Sequence, residues 1–189
     1  RRSYLPGGTV EEMMTVVSSS PADTLKQKYK TPAADIEREV QKTRETETLH
    51  LIKQTDSEND IQKLITQLQT SGRLSPSIIL SALCQGDFNF FETSLAHLSH
   101  IPVSNARKLI TDRGELGFRA IYNKSGLPEV MFPAVKLLLK IVRELDEEGE
   151  KKGGMRYANR IVERILQYSE GTEMENLSYI IALVRKVSQ

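Results

Sequence analysis

The feature that most constrains this chain is a series of apolar stretches with helical spacing, separated by single glycines and prolines. Between residues 57 and 148, apolar side chains recur three and four positions apart, with boundaries at Gly72, Pro76, Gly86 and Gly126. That spacing forms one face of an α-helix, and glycine and proline commonly end or begin helices. No segment shows the two-residue alternation of a half-buried strand bounded by turns. The chain is therefore predicted to be all-α.

The stretches predict short helices that follow one another through brief turns, forming a small multi-helix orthogonal bundle. Asp87 is placed to cap a helix in which Phe88, Phe91, Leu95 and Leu98 form one face. Leu116 and Val130 are expected among the apolar residues that face the core from later helices. The predicted helices lie near residues 57–71, 75–84, 87–98, 102–111, 115–125, 127–148, 156–168 and 174–187.

The first 55 residues have a different pattern. Thr31 and Pro32 fit the cap and first position of a helix that continues to Gln54, but its middle is polar all round. A thin apolar stripe on a polar helix is typical of a linker, an exposed strut or a partner-dependent helix. We expect residues 1–55 to form a partly mobile N-terminal extension with a linker helix, and residues 56–189 to form the bundle domain. The stripe also makes 31–54 a candidate homodimer contact.

Composition excludes several classes of protein. Apolar residues make up 39% and charged residues 27% of the 189 residues, as in ordinary globular domains. Cys84 is the single cysteine, so neither an internal disulfide nor a cysteine zinc site can form. His97 and His100 are three residues apart, but Pro102 argues against a shared helical face, so no metal site is predicted. No apolar run of 18 residues is present, which excludes a transmembrane helix and makes the cytoplasm the expected location.

No catalytic motif is present either. The chain has no nucleophile elbow, no phosphate-binding glycine loop and no dinucleotide-binding fingerprint, and Cys84 has no base beside it in the sequence. Gly114 and Gly117 lie between two helices rather than after a strand, so a tight turn and a close helix contact explain them. We expect a protein that is not an enzyme and that has no cofactor.

The most basic part of the chain is its middle. Residues 101–145 hold 8 Lys/Arg against 4 Asp/Glu, whereas the whole chain has a net charge of only +1. Two short helices joined by the turn at Asp112 and Arg113 resemble a helix-turn-helix at about 103–125. Arg119 and Lys124 on the second helix would then meet phosphates or base edges. Packing helices with solvated charges explain the same residues, so both interpretations stay open.

Six short motifs occur in order along the chain: Gly86–Glu92, Leu95-Ala96, Ile101-Pro102, Ala106-Arg107, Asp112–Gly117 and Gly126–Pro128. Together they resemble a bacterial family, found mainly in alphaproteobacteria, that is named domain of unknown function 2336. The resemblance covers about residues 60–148, and it implies no activity, because none is established for the family. It implies a C-terminal fragment of a longer scaffold or adaptor protein, and it marks Asp87, Asp112, Arg113 and Arg119 as polar candidates.

The preferred prediction is a non-enzymatic protein-interaction or regulatory module with a protein partner. Its binding surface is expected in the groove between the helices from about Arg107 to Lys124. Nucleic-acid binding through the helix-turn-helix-like unit is the alternative, and an unrecognised enzyme is the third hypothesis. The candidate binding residues are Asp87, Arg107, Asp112, Arg113, Arg119 and Lys124.

Overall fold

The computed structural model describes residues 33–55, 57–112, 115–169 and 176–188, and within these ranges the chain is helical with no strand. This confirms the predicted all-α bundle. The predictions for residues 1–32 lie outside the described residues. The α-helices are Ala33–Lys53 (α1), Glu58–Thr70 (α2), Pro76–Cys84 (α3), Phe88–Ser99 (α4), Val103–Thr111 (α5), Glu115–Lys124 (α6), Phe132–Glu147 (α7), Gly154–Ser169 (α8) and Leu177–Val187 (α9), and a 3₁₀ turn spans Glu129–Met131.

The chain divides into two compact units between Gln54 and Thr55. The described part of the first unit contains α1, in which Thr48, Leu49 and Ile52 are buried. The second unit contains α2 to α9 and forms the helical bundle. A homodimer through residues 31–54 stays a prediction. In the described ranges, no helix combines the length and the apolar character that crossing a bilayer requires.

Helix α4 is the centre of the second unit, because α2, α3, α5 and α6 all pack against it. Phe90, Phe91 and Leu95 are completely buried, whereas Phe88 and Leu98 are half-buried. The buried surface of α4 is therefore wider than its apolar face. A helix with neighbours on several sides buries residues off its apolar stripe as well, which is why Phe90 is in the core.

Helix α7 begins at Phe132 rather than at the predicted start near Pro128. An α-helix that continued back through Glu129 would set the ring of Pro133 against the Glu129 carbonyl, which proline does not tolerate. The chain forms a tighter 3₁₀ turn instead, in which the Met131 amide donates to the Pro128 carbonyl at 3.0 Å. Val130 lies in this turn with 64% of its surface exposed, so its predicted position in the core was wrong.

The remaining helices pack around α7. This helix contacts α3, α8 and α9, and its apolar face is buried from Phe132 to Leu145. The opposite face of its first half is exposed at Pro133, Lys136 and Lys140. Helix α7 therefore supports the core with one side and presents a polar surface with the other.

Candidate binding groove

Three aromatic rings join α6 to the start of α7. The ring centroid of Phe132 lies 5.2 Å from that of Phe118 and 5.1 Å from that of Tyr122, and all three side chains are buried. The Tyr122 hydroxyl donates to the Pro128 carbonyl at 3.1 Å. Burial raises the pKa of Tyr122 to about 12, so the phenol keeps its proton and remains a donor at neutral pH. These contacts fix the relative positions of the two helices.

The same packing determines which side of α6 faces water. Phe118, Ile121 and Tyr122 are spaced three and four positions apart and are buried together. Leu116 lies two residues before Phe118, on the other side of the helix, and is 82% exposed. The prediction that Leu116 faces the core was therefore wrong. The close approach predicted at Gly117 is confirmed, because a Cβ atom there would lie 3.0 Å from Leu109 Cδ2.

Beside the aromatic rings, a groove of about 240 Å³ lies between α6 and the first half of α7. Its α7 residues occupy positions 132, 133, 136, 137 and 140, which form one helical face over about two turns, roughly 10 Å of helix. We call this feature the groove. Its apolar lining consists of Phe132, Pro133 and Leu137, and its charged lining consists of Glu115, Arg119, Lys136 and Lys140.

Two of the three cations in the groove share one carboxylate. Glu115 accepts hydrogen bonds from Arg119 Nη2 at 2.8 Å and from Lys136 Nζ at 2.6 Å. The Arg119 guanidinium also lies over the Phe132 ring, 4.6 Å from its centroid, so it covers the apolar lining from above. The two hydrogen bonds from Arg119 and Lys136 lower the pKa of Glu115 to about 2. Glu115 is therefore an anion at every physiological pH.

The third cation is Lys140, at the far end of the groove. Its ammonium lies 4.1 Å from the ring centroid of Tyr168 on α8 and 3.9 Å from a carboxylate oxygen of Glu144. Counted over its charged lining, the groove has three cations and one anion. Residues 132–143 hold no acidic residue, and two of their three basic residues, Lys136 and Lys140, line the groove, whereas residues 144–148 hold four acidic residues. The positive charge is thus concentrated along the groove.

Of the residues predicted from the sequence, Arg119 is the one that lines the groove. Asp87 is the N-cap of α4, as predicted, and its side chain accepts from the Phe90 amide at 2.9 Å. Arg107 belongs to a different cluster, in which its Nε lies 3.1 Å from Glu92. Asp87 and Arg107 therefore have structural partners away from the groove.

The other predicted residues do not converge on the groove. Asp112 follows the last residue of α5 and is exposed, and Lys124 is exposed at the end of α6. Arg113 lies outside the described residues. Lys136 and Lys140 were not predicted, because the apolar spacing of residues 127–148 indicates only a core helix. The basic half of that helix, without an acidic residue, was the available signal.

The structure offers few groups for other chemistry. Among the described residues, no three His, Cys, Asp or Glu side chains are grouped as metal ligands would be. Cys84 is buried, and burial raises the pKa of its thiol far above the usual range. Because the thiolate is the reactive form, Cys84 is inert in the folded chain.

Comparison with known proteins places the chain in a family. The family model described as "Uncharacterised protein conserved in bacteria (DUF2336)" matches residues 1–175. The chain belongs to this family. The match confirms the resemblance seen over residues 60–148 and extends it to residue 1. No curated protein and no solved structure matches the chain. The family description names no activity, so a functional proposal depends on the groove.

Proposed function

We propose that this member of the DUF2336 family is a non-enzymatic protein-interaction module, and that its groove binds an acidic segment of a partner protein. The observation that supports the proposal is the lining of the groove. Arg119, Lys136 and Lys140 surround an apolar surface formed by Pro133 and Leu137, with Glu115 as the single carboxylate. The partner segment has the complementary chemistry, an apolar side chain flanked by Asp or Glu.

The dimensions of the groove favour a peptide segment. Its α7 face extends for two helical turns, which matches two turns of a bound helix or a short extended segment. The methylene stems of Lys136 and Lys140 add apolar surface, while their ammonium groups stay in water. An apolar anchor in the groove with charged neighbours at the rim is the usual anatomy of a protein interface.

The same features favour a protein segment over nucleic acid. Proteins that bind single strands usually stack bases on exposed aromatic rings, but Phe132 is only 1% exposed and is covered by Arg119. Readers of duplex DNA insert a protruding helix into the major groove, whereas this feature is concave. Exposed Lys108 and Lys124 keep the helix-turn-helix-like alternative open as an outcome of the experiments.

Selection from a random 12-residue peptide library displayed on phage tests the proposal. The 189-residue chain is the bait, and Lys136→Glu is the comparison bait. We expect the recovered peptides to be enriched in Asp and Glu next to a large apolar residue. We also expect their binding to Lys136→Glu to fall by roughly tenfold, since charges that face each other across an interface attract or repel strongly.

Lys63→Glu is the matched control. Lys63 is an exposed lysine on α2 that pairs with Asp60 at 3.3 Å, so this variant changes the net charge by the same amount away from the groove. It should bind the recovered peptides as the wild type does. Peptides without acidic enrichment, or equal losses for both variants, would contradict the proposal. Selective binding of a DNA duplex that is weakened by Lys124→Ala would support the alternative.

A further inference from the structure

The proposed binding site already contains a carboxylate, supplied by the chain itself. Glu115 lies in the first turn of α6 and reaches Lys136 on α7, 21 positions further along the chain. We infer that Glu115 occupies the position of a partner carboxylate, and that the partner segment binds by replacing Glu115 between Arg119 and Lys136. This inference rests on the proposed function of the groove. It identifies Glu115 as the residue that controls the affinity and the selectivity of the groove.

The first support is the geometry of the two cations. A single carboxylate accepts from Arg119 Nη2 at 2.8 Å through one oxygen and from Lys136 Nζ at 2.6 Å through the other. The two donors are therefore spaced to hold one carboxylate between them. An Asp or Glu side chain of a partner has the same group, so it can accept both hydrogen bonds once Glu115 has moved away.

The second support is that this contact is exposed enough to exchange. The side chains of Glu115, Arg119 and Lys136 are 42%, 45% and 51% exposed. Ion pairs this open to water contribute little to stability, so their replacement costs little. The pair between Glu92 and Arg107 is different, because the Glu92 side chain is only 11% exposed. That pair holds the fold, whereas Glu115 lies where a ligand can reach it.

Two consequences follow for the partner. The residue that displaces Glu115 must be an acid, because a neutral amide would leave two cations without a counter-charge. A change of pH within the physiological range does not free the groove either. The pKa of Glu115 is about 2, so its carboxylate is not protonated in that range. Glu115 therefore competes at every physiological pH and lowers the affinity of the groove for all acidic segments.

The test compares Glu115→Gln with the wild-type 189-residue chain. The probe is one fluorescein-labelled acidic peptide recovered by selection on the wild type or on Glu115→Gln, and its Kd is measured by fluorescence anisotropy. We expect Glu115→Gln to bind the peptide roughly two- to fivefold more tightly, as is typical for an exposed ion pair that no longer competes. The gain should shrink as salt is added. Glu163→Gln removes an acid that pairs with Arg160 on α8, and it should leave the Kd unchanged.

The possible outcomes separate this inference from the proposed function. Acidic peptides that lose affinity for Lys136→Glu but bind Glu115→Gln no better than the wild type overturn the inference and leave the proposed function intact. An absence of acidic peptides from selections with both the wild type and Glu115→Gln overturns both. If Glu115→Gln alters the circular dichroism spectrum, Glu115→Ala and Glu115→Asp replace it. Glu115→Asp keeps the charge on a shorter side chain and should show a smaller gain than Glu115→Ala.

Discussion

At the scale of single residues, Arg107, one of the predicted binding residues, pairs with a carboxylate that is buried in the bundle. Glu92 on the central helix α4 is buried and accepts from Arg107 Nε at 3.1 Å. Arg107 also lies 3.4 Å from Glu58 on α2 and 3.5 Å from the Asn89 side chain. Burial raises the pKa of Glu92, while the hydrogen bond and the charge of Arg107 counteract the shift. The ionised carboxylate therefore depends on its arginine.

Arg107→Ala is expected to destabilise the chain by about 1–3 kcal/mol, because it leaves the Glu92 carboxylate buried without its main partner. Adding Glu92→Gln to this variant should restore most of the loss, since a neutral amide costs less to bury. Unfolding in urea, followed by circular dichroism, measures both changes. Lys108→Ala removes the exposed neighbouring cation and should change the stability by less than about 0.5 kcal/mol. Equal stabilities of Arg107→Ala and Lys108→Ala would contradict this account.

The raised pKa of Glu92 also predicts a dependence on pH. A carboxyl whose pKa is higher in the folded than in the unfolded chain favours folding when it is protonated. That contribution is complete below the unfolded value of 4.5 and is lost as the pH rises through the folded value. The stability of Glu92→Gln relative to the wild type should therefore increase from about pH 4 to about pH 7. Urea titrations at the two pH values measure the difference in unfolding free energy between Glu92→Gln and the wild type. If that difference stays constant or decreases as the pH rises, burial does not dominate the pKa of Glu92.

At the scale of secondary-structure elements, the sequence predicts the helices well and their orientation less well. Helices α3 and α4 begin where Ser75 and Asp87 predict, because capping is a local interaction. The exposure of Leu116 and Val130 was missed, because it depends on how α6 and α7 pack on other parts of the chain. The late start of α7 was predictable from Pro133, but apolar spacing alone does not register a proline.

The groove was only partly predictable for the same reason. Arg119 was identified from a local excess of basic residues, and Lys136 and Lys140 belong to the same excess. Their convergence with Arg119 depends on the packing of Phe132 against Phe118 and Tyr122. Those residues are 10 to 14 positions apart in the sequence, and apolar spacing within one helix says nothing about which neighbour it meets.

Ion pairs attach helix α8 to α7. Arg164 Nη1 lies 3.3 Å from Glu144, and Arg164 Nη2 donates to Glu148. The Arg164 and Glu144 side chains are only 23% and 26% exposed, so the pair is partly protected from solvent. A partly buried arginine with two carboxylate partners contributes more than an isolated surface pair.

Arg164→Ala should therefore lower the free energy of unfolding by about 1 kcal/mol, and less at high salt. Arg156→Ala is the matched control on the same helix, because Arg156 is 86% exposed and pairs with Glu150 at 3.4 Å. Thermal unfolding at low and at high ionic strength compares the two variants. Equal melting temperatures would show that α8 does not depend on the Arg164 pairs.

At the scale of the whole molecule, the core and the groove use opposite faces of the same helices. Helix α4 and the buried face of α7 form the core. The ion pairs of Arg107 with Glu92 and Glu58 connect α4, α5 and α2. The exposed face of α7 and the start of α6 contribute the groove. Packed helices hold the groove residues in place before any partner arrives, which suits the proposed interaction module.

The most direct test of the groove is a nuclear magnetic resonance titration of the ¹⁵N-labelled 189-residue chain with an acidic peptide from the selection. The proposal predicts that the largest amide shift changes lie at residues 115–119 and 133–140, and that Lys136→Glu abolishes them. Shift changes centred on Lys108 and Lys124, or on α1, with residues 133–140 unaffected, would contradict the proposal and move the binding surface elsewhere.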